Sequence, residues 1–275
     1  MQEKLKYLNS SQVAGFLARV RREKPLIHHI TNYVTANDCA NITLHTGGLP
    51  VMAHAFDEVE EMVEAARTLV LNIGTLQPDQ VAAMIKAGKK ANRLGIPVLL
   101  DPVGAGATKL RTESARKILS EVKVSVVKGN YAEIAILAGT EAEIRGVDAA
   151  GTVEDIDRIA REFAAARDVT VVVTGVTDIV TDGRTGYKIS NGHELMGTIT
   201  GTGCMAGSVI GCFLALQDSP VHEAAAALVC YGIAGEIAAG RADVYGPASF
   251  RTAFFDSLYN LQEKQISRMA KFAAY

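Results

Sequence analysis

Tryptophan is missing from this 275-residue chain, and aromatic residues make up only 6% of it. No unbroken apolar run approaches the length of a membrane span. Runs such as Val169–Val173 are interrupted far short of the roughly 18 residues a transmembrane helix needs. The first residues, MQEKLKYLNSSQ, lack the apolar core of a secretory signal. Cysteine is scarce: Cys39, Cys204, Cys212 and Cys230 form no CxxC pair and no finger-like Cys/His spacing. That argues against a structural zinc site and for reduced thiols in a cytoplasmic protein. Charge is nearly balanced, with a formal net value of −2, so no basic surface points to nucleic acid or to a membrane.

What is present suits a packed globule. Hydrophobic residues make up 48% and charged residues 21%, and no stretch reads as a linker, a repeat or a low-complexity tail. One domain spanning residues 1–275 is expected. Short β-branched runs predict strands at Ile27–Ile30, Val51–Ala53, Leu69–Ile73, Pro97–Asp101, Ser125–Val127, Thr170–Thr174, Ile179–Thr181 and Gly186–Ser190. Between them, helical segments are predicted at Gln12–Arg22, Asn37–His45, Asp57–Ala66, Asp79–Arg93, Thr112–Glu121, Ala132–Leu137 and Val153–Arg167. Helices Met205–Ala215, Pro220–Ala239 and Pro247–Met269 then fill the C-terminal third. The alternation predicts an α/β fold: a doubly wound, mostly parallel central sheet flanked by helices, with a helical C-terminal third.

Ligands of such sheets gather beyond the carboxyl ends of the strands. The segments there are HHITNYVT, MAHAFDE, NIGTL, DPVGAGAT, KGNYAE and TGVTD, rich in Gly, Asn, Thr and acids. Turns favour the same residues, so composition alone does not separate a site from a bend. The sharpest local signal is Gly197-Thr198-Ile199-Thr200-Gly201-Thr202-Gly203-Cys204, ahead of an apolar helical run. Backbone N–H groups at a helix start form an anion-binding concavity, and Gly201 and Gly203 permit angles that a side chain would block. The competing reading is a loop that only turns the chain. It is not a Walker A loop, because GxxxxGK[ST] is absent. Cys204 falls in the first helical turn, where a thiol is a candidate base or polar contact; the competing fate is inert burial. Cys212 and Cys230 lie on Ala/Leu-rich faces and read as packing residues.

Asp101 ends a strand and precedes Pro102, which points its carboxylate toward the crevice. Lys128, Asn130 and Glu133 follow the next strand. Asp101 and Glu133 form a candidate pair for a hydrated Mg²⁺ ion, which takes one or two carboxylates plus phosphate oxygens. Lys128 is a candidate to neutralise nucleotide phosphate. Helix capping by Asn130, a surface Glu133 and a solvated Lys128 are the plain alternatives.

Taken together, Asp101-Pro102-Val103, Lys128-Gly129-Asn130-Tyr131-Ala132-Glu133, Thr174-Gly175 and Gly201-Thr202-Gly203-Cys204 resemble the ribokinase superfamily. The early segment His28–Val34 and Pro50-Val51-Met52 narrow this to the hydroxyethylthiazole kinase family, over nearly the whole length. Most of the superfamily has Asp, the general base, where this chain has Cys204; the thiazole kinases carry Cys there. The resemblance implies ATP- and Mg²⁺-dependent phosphorylation of 5-(2-hydroxyethyl)-4-methylthiazole in thiamine biosynthesis or salvage. It implies ATP near Lys128 and Thr174, with Thr198 toward the phosphates, and Mg²⁺ around Asp101 and Glu133. It places the thiazole near Asn32, Met52 and Gly201, its alcohol close to Cys204, and Gly201 and Gly203 around the transferring group. It also implies a homotrimer with pockets between subunits. Rival readings are a kinase for a hydroxymethyl pyrimidine or a pyridoxal-like alcohol, a hydro-lyase for hydrated nicotinamide cofactors, and a non-catalytic binding regulator. The hydro-lyase calls for an acid at position 204. The intact Asp101, Lys128, Glu133 and glycine loop speak against the regulator.

Overall fold

The computed structural model describes residues 7–139 and 153–275. Alternation begins at once, with α1 (Ser10–Glu23), β1 (Leu26–Ile30), α2 (Ala36–Thr46), β2 (Leu49–Val51), α3 (Val59–Ala65) and β3 (Thr68–Asn72). It continues through α4 (Pro78–Leu94), β4 (Val98–Asp101), α5 (Lys109–Glu121), β5 (Val126–Asn130), α6 (Tyr131–Leu137), α7 (Val153–Arg167) and β6 (Thr170–Thr174). Then come β7 (Asp178–Thr181), β8 (Gly186–Ile189), a 3-10 turn (Glu194–Thr198), α8 (Thr202–Leu214) and α9 (Pro220–Ala239). The chain closes with α10 (Pro247–Tyr259), α11 (Glu263–Met269) and β9 (Phe272–Ala274).

Local chemistry explains the boundaries. A reciprocal Asn9–Gln12 capping box starts α1. Pro78 opens α4, and Gly95, at φ +69°, closes it in the left-handed conformation. The strands are short, those inside the sheet are largely buried on both faces, and β3 is buried at every residue. That is the burial expected of parallel strands covered by helices.

The nine strands form one sheet in the order β2-β1-β3-β4-β5-β6-β7-β8-β9, parallel from β2 to β6 and antiparallel thereafter. Successive residues of a strand feed opposite cores. Val70 packs with Leu17, Ile42, Val209, Val229, Phe254 and Ile266, from α1, α2, α8, α9, α10 and α11. Leu69 and Leu71 pack with Val63, Met84, Ile118, Ile134 and Phe163, from α3 through α7. The chain leaves β1 toward β2 through α2 on one face and returns to β3 through α3 on the other. Reversing direction while keeping crossovers right-handed requires that change of face. A crevice therefore opens above the carboxyl ends of β1 and β3.

Three expectations need correction. Strand β2 ends at Val51, so Met52 and Ala53 lie beyond it, and the Ala53 carbonyl accepts a 2.7 Å hydrogen bond from His28 Nε2. The predicted helix Pro247–Met269 is two helices, because Leu261 turns fully into the core and Gln262 starts a new capping box. Strand β9 was not foreseen. Its three residues find their hydrogen-bonding edge only on β8, more than 80 positions earlier in sequence. By length and mean hydropathy α9 could cross a membrane. It is instead a core helix, buried from Val221 to Gly235 apart from His222.

Candidate active site

Five strand ends meet beneath the first turn of α8. Asn32 lies two residues past β1, and Asn72 and Asp101 pair across the ends of β3 and β4. Lys128 lies on β5, and Thr174 ends β6. Asn32, Asn72, Asp101 and Lys128 are all buried, none more than 3% exposed. Burial without partners would be costly for each, and they satisfy one another. Asn32 Nδ2 donates to Asn72 Oδ1 at 2.9 Å and to Cys204 Sγ at 3.4 Å. Asn72 Nδ2 donates to Asp101 Oδ2 at 2.9 Å, and Lys128 Nζ donates to the same oxygen at 3.0 Å.

Burial pushes the Asp101 carboxyl up to about 6, and Glu133 adds repulsion; the Lys128 ammonium and the Asn72 N–H hold it from rising further. Burial would lower Lys128, but attraction by Asp101, then Glu133 and Cys204, outweighs it and leaves Lys128 raised. Asp101 Oδ1 is buried and has no hydrogen-bond partner. An unsatisfied carboxylate oxygen at this depth fits a cation or a donor that arrives with a ligand.

Glu133 has a local structural part, in a capping box. Its Oε2 accepts from Asn130 N and its Oε1 from Gly104 N, both at 2.8 Å, while Asn130 Oδ1 accepts from Glu133 N. This capping box opens α6 and ties the DPVGAG loop to the end of β5. Among the described residues no three His, Cys, Asp or Glu side chains gather as a metal cage. Mg²⁺ does not require one, since it keeps several waters and uses one or two carboxylates with phosphate oxygens. Asp101 Oδ1 and the outer lone pairs of Glu133 match that donor set.

The glycine turn sits directly on the ion pair. Gly201 has φ +91°, and a β-carbon there would strike Thr35 Cγ2 at 2.5 Å. Conformation and space thus both require glycine. A β-carbon on Gly203 would lie 3.6 Å from Lys128 Nζ, and one on Gly207 would lie 3.7 Å from Asp101 Oδ2. The first turn of α8, whose N–H groups lack intrahelical acceptors, thus lies against Lys128, and its second turn, at Gly207, lies against Asp101. From α9, the buried Tyr231 hydroxyl donates to the Thr202 carbonyl at 2.7 Å and holds the turn down. Cys204 is half-buried, whereas Cys39, Cys212 and Cys230 are core residues whose thiols burial pushes to about 11, 12 and 12.

Beside the turn opens a cavity of about 590 Å³, lined among others by Thr174, Asp178, Asn191, Gly203 and Tyr231. That volume suits a nucleotide-sized ligand. Burial raises the Asp178 carboxyl to about 6, and the Gly175 N–H bonded to it opposes the rise. Of the residues singled out from sequence, Asn32, Asp101, Lys128, Gly201, Gly203 and Cys204 converge. Glu133 joins through its loop, and Thr174 lines the cavity. Thr198 is exposed and spends its hydroxyl on the Leu195 carbonyl, next to the lining residue Gly197. Met52 is half-buried after β2 and takes no part in the hydrogen-bond network. Sequence reasoning missed Asn72, Thr35, Asp178 and Tyr231. Thr35, Asn72 and Asp178 lay in the rim segments HHITNYVT, NIGTL and TGVTD without being singled out, and Tyr231 carried no signal.

The sequence profile of the hydroxyethylthiazole kinase family matches residues 17–264. A hydroxyethylthiazole kinase of Thermoanaerobacter pseudethanolicus is 58% identical over 252 residues, 92% of this chain and 96% of that protein. One from Methanocella arvoryzae is 53% identical over 264 residues, 96% of this chain and 98% of its own length. The solved structure of the hydroxyethylthiazole kinase protein from Pyrococcus horikoshii OT3 superposes with a TM-score of 0.88 at 43% identity, over 96% of this chain and 99% of that one. A pyridoxal kinase from Staphylococcus aureus, at 15% identity and a TM-score of 0.62 over 92% and 99% of the two chains, shares the fold. Match, coverage and structure agree: the chain belongs to the hydroxyethylthiazole kinase family.

Proposed function

We propose that this protein transfers the γ-phosphoryl group of ATP to the primary alcohol of hydroxyethylthiazole, yielding the thiazole phosphate and ADP for thiamine biosynthesis. The observation that carries the reading is the α8 turn seated on the Asp101–Lys128 pair, with Cys204 beside it. ATP occupies the cavity past Thr174, its phosphates running toward Gly203 and Lys128, with Thr198 at the rim. The alcohol oxygen attacks the γ-phosphorus in line as the bond to ADP breaks. Lys128 and the backbone N–H groups of Gly201–Cys204 hold the charge spread over the transferring oxygens. Cys204 Sγ accepts the alcohol proton, and Asn32, Met52 and Gly201 position the ring. Mg²⁺, when bound, would neutralise phosphate charge, and Asp101 and Glu133 would hold it. Cysteine at 204 favours the thiazole alcohol over the pyridoxal alcohols of relatives that share only the fold.

Family resemblance adds a homotrimer with pockets between subunits. It is supported by the exposed apolar residues Tyr33, Val34 and Phe56, which follow β1 and β2 beside the crevice. Four free thiols support a reducing, cytoplasmic setting.

The test is ADP release by purified protein with ATP, Mg²⁺ and each of three alcohols. Hydroxyethylthiazole is expected to drive turnover well above the other two. Preference for a hydroxymethyl pyrimidine or pyridoxal would refute the assignment.

A further inference from the structure

We infer that Asn72 is a positioning residue for this reaction, bridging Asp101, across the sheet's switch point, to Asn32 and through it to the Cys204 sulfur. The inference deepens the kinase reading and rests on it for the part that concerns turnover.

The direction of the relay follows from donors that cannot be reversed. An amide side chain can face either way, and only its neighbours decide. The backbone N–H of Thr35 donates to Asn32 Oδ1 at 3.0 Å, as does the Thr35 hydroxyl. Asn32 must then turn Nδ2 toward Asn72 and Cys204. The backbone N–H of Gly74 donates to Asn72 Oδ1 at 2.9 Å. Asn72 must then turn Nδ2 toward Asp101.

Two consequences reach the reacting groups. Asp101 Oδ2 receives both Asn72 and Lys128, so the other oxygen, Oδ1, is the one left open. The two hydrogens of Asn32 Nδ2 are divided between Asn72 Oδ1 and Cys204 Sγ, which presents the sulfur as an acceptor. Asn72 lies between the proposed phosphate end and the proposed alcohol end, and it is 2% exposed. A close packing role is also tight: a β-carbon on Gly74 would lie 3.0 Å from Asn72 Oδ1. The test must therefore separate relay from packing.

Cys204 supplies the probe, because the other three thiols are buried. The rate of iodoacetamide addition to Cys204 is measured by peptide mass mapping on unliganded wild type and Asn72→Ala, with melting temperature as the folding control. Hydrogen bonds to a charged form favour it, and the thiolate is the form that alkylates. Asn72 Oδ1 anchors the Asn32 amide that reaches the sulfur, so losing it should loosen that contact and slow alkylation by about threefold or more, whereas loosened packing would expose the sulfur and speed it. In parallel, kcat should fall by roughly 10–100-fold while the KM for ATP stays within about threefold. If Asn72→Ala does not fold, Asn72→Ser takes its place; its hydroxyl is too short to span Asn32 and Asp101. Unchanged or faster alkylation in a folded variant, or wild-type kcat, overturns the inference. Wild type that does not phosphorylate the alcohol refutes the kinase reading instead, and alkylation still decides the relay.

Discussion

Cys204, the proposed acceptor of the alcohol proton, is a half-buried thiol that accepts a hydrogen bond from the Asn32 amide. Phosphoryl transfer through a loose transition state needs little early deprotonation, so the base contributes less than charge neutralisation does. Cys204→Ala should therefore retain activity, losing on the order of 10–10³-fold in single-turnover rate. Cys204→Asp, of similar size and with a charged oxygen acceptor, should stay within about tenfold of wild type. Equal rates for Cys204→Ala and wild type would make the thiol a packing residue. A dead Cys204→Asp beside an active Cys204→Ala would mean that the site rejects negative charge there, and the alcohol would have to lie elsewhere.

Helix α9 shows how one element serves both core and site. Its Ala-rich faces fill the core, and Tyr231 from its middle clamps the glycine turn. Its first turn carries Glu223, fully buried, with Oε1 accepting from Asp218 N and Oε2 unpartnered. Burial raises this carboxyl to about 8, the nearby Asp218 charge adds to the rise, and Arg19 only partly opposes it. The folded-state value lies above the ordinary 4.5, so the native state binds the extra proton between the two values. Its contribution is complete below about 4.5 and is lost as pH climbs toward 8. The melting temperature of wild type should accordingly fall more between pH 5 and pH 8 than that of Glu223→Gln, by at least about 3 °C. Parallel pH dependences for the two proteins would show that Glu223 ionises in the fold at no cost.

At the scale of the whole molecule, the crevice is open on the side where Tyr33 and Val34 leave β1, 59% and 67% exposed. Tyr33 packs edge-on against His54. A neighbouring subunit covering this apolar surface would complete the thiazole pocket. Light scattering should give three times the 29.2 kDa chain mass at micromolar concentration. Val34→Asp should reduce that mass and raise the KM for the thiazole more than that for ATP. A monomeric wild type with full activity would sink this arrangement.

Much of the architecture was legible because it is local. β-Branched runs, capping residues and glycine stops act over a few positions, and they placed β1 to β8 and most helices to within a few residues. Asp101, Lys128 and the Gly201–Cys204 turn were legible for a related reason: each carries its own chemistry at a strand end or a helix start. What the tertiary structure alone decided is everything that depends on partners far apart in the chain. Strand β9 exists because β8 offers an edge. The carboxylate of Glu133 is committed to backbone N–H groups at Gly104 and Asn130, which spacing alone does not reveal. Asn72 looks in sequence like any polar residue closing a strand. Only the register of β3 beside β4, and the return of the chain across β1, set its amide between Asp101 and Asn32. Propensity is a property of neighbours along the chain, whereas hydrogen-bond direction at a buried site is set by neighbours in space.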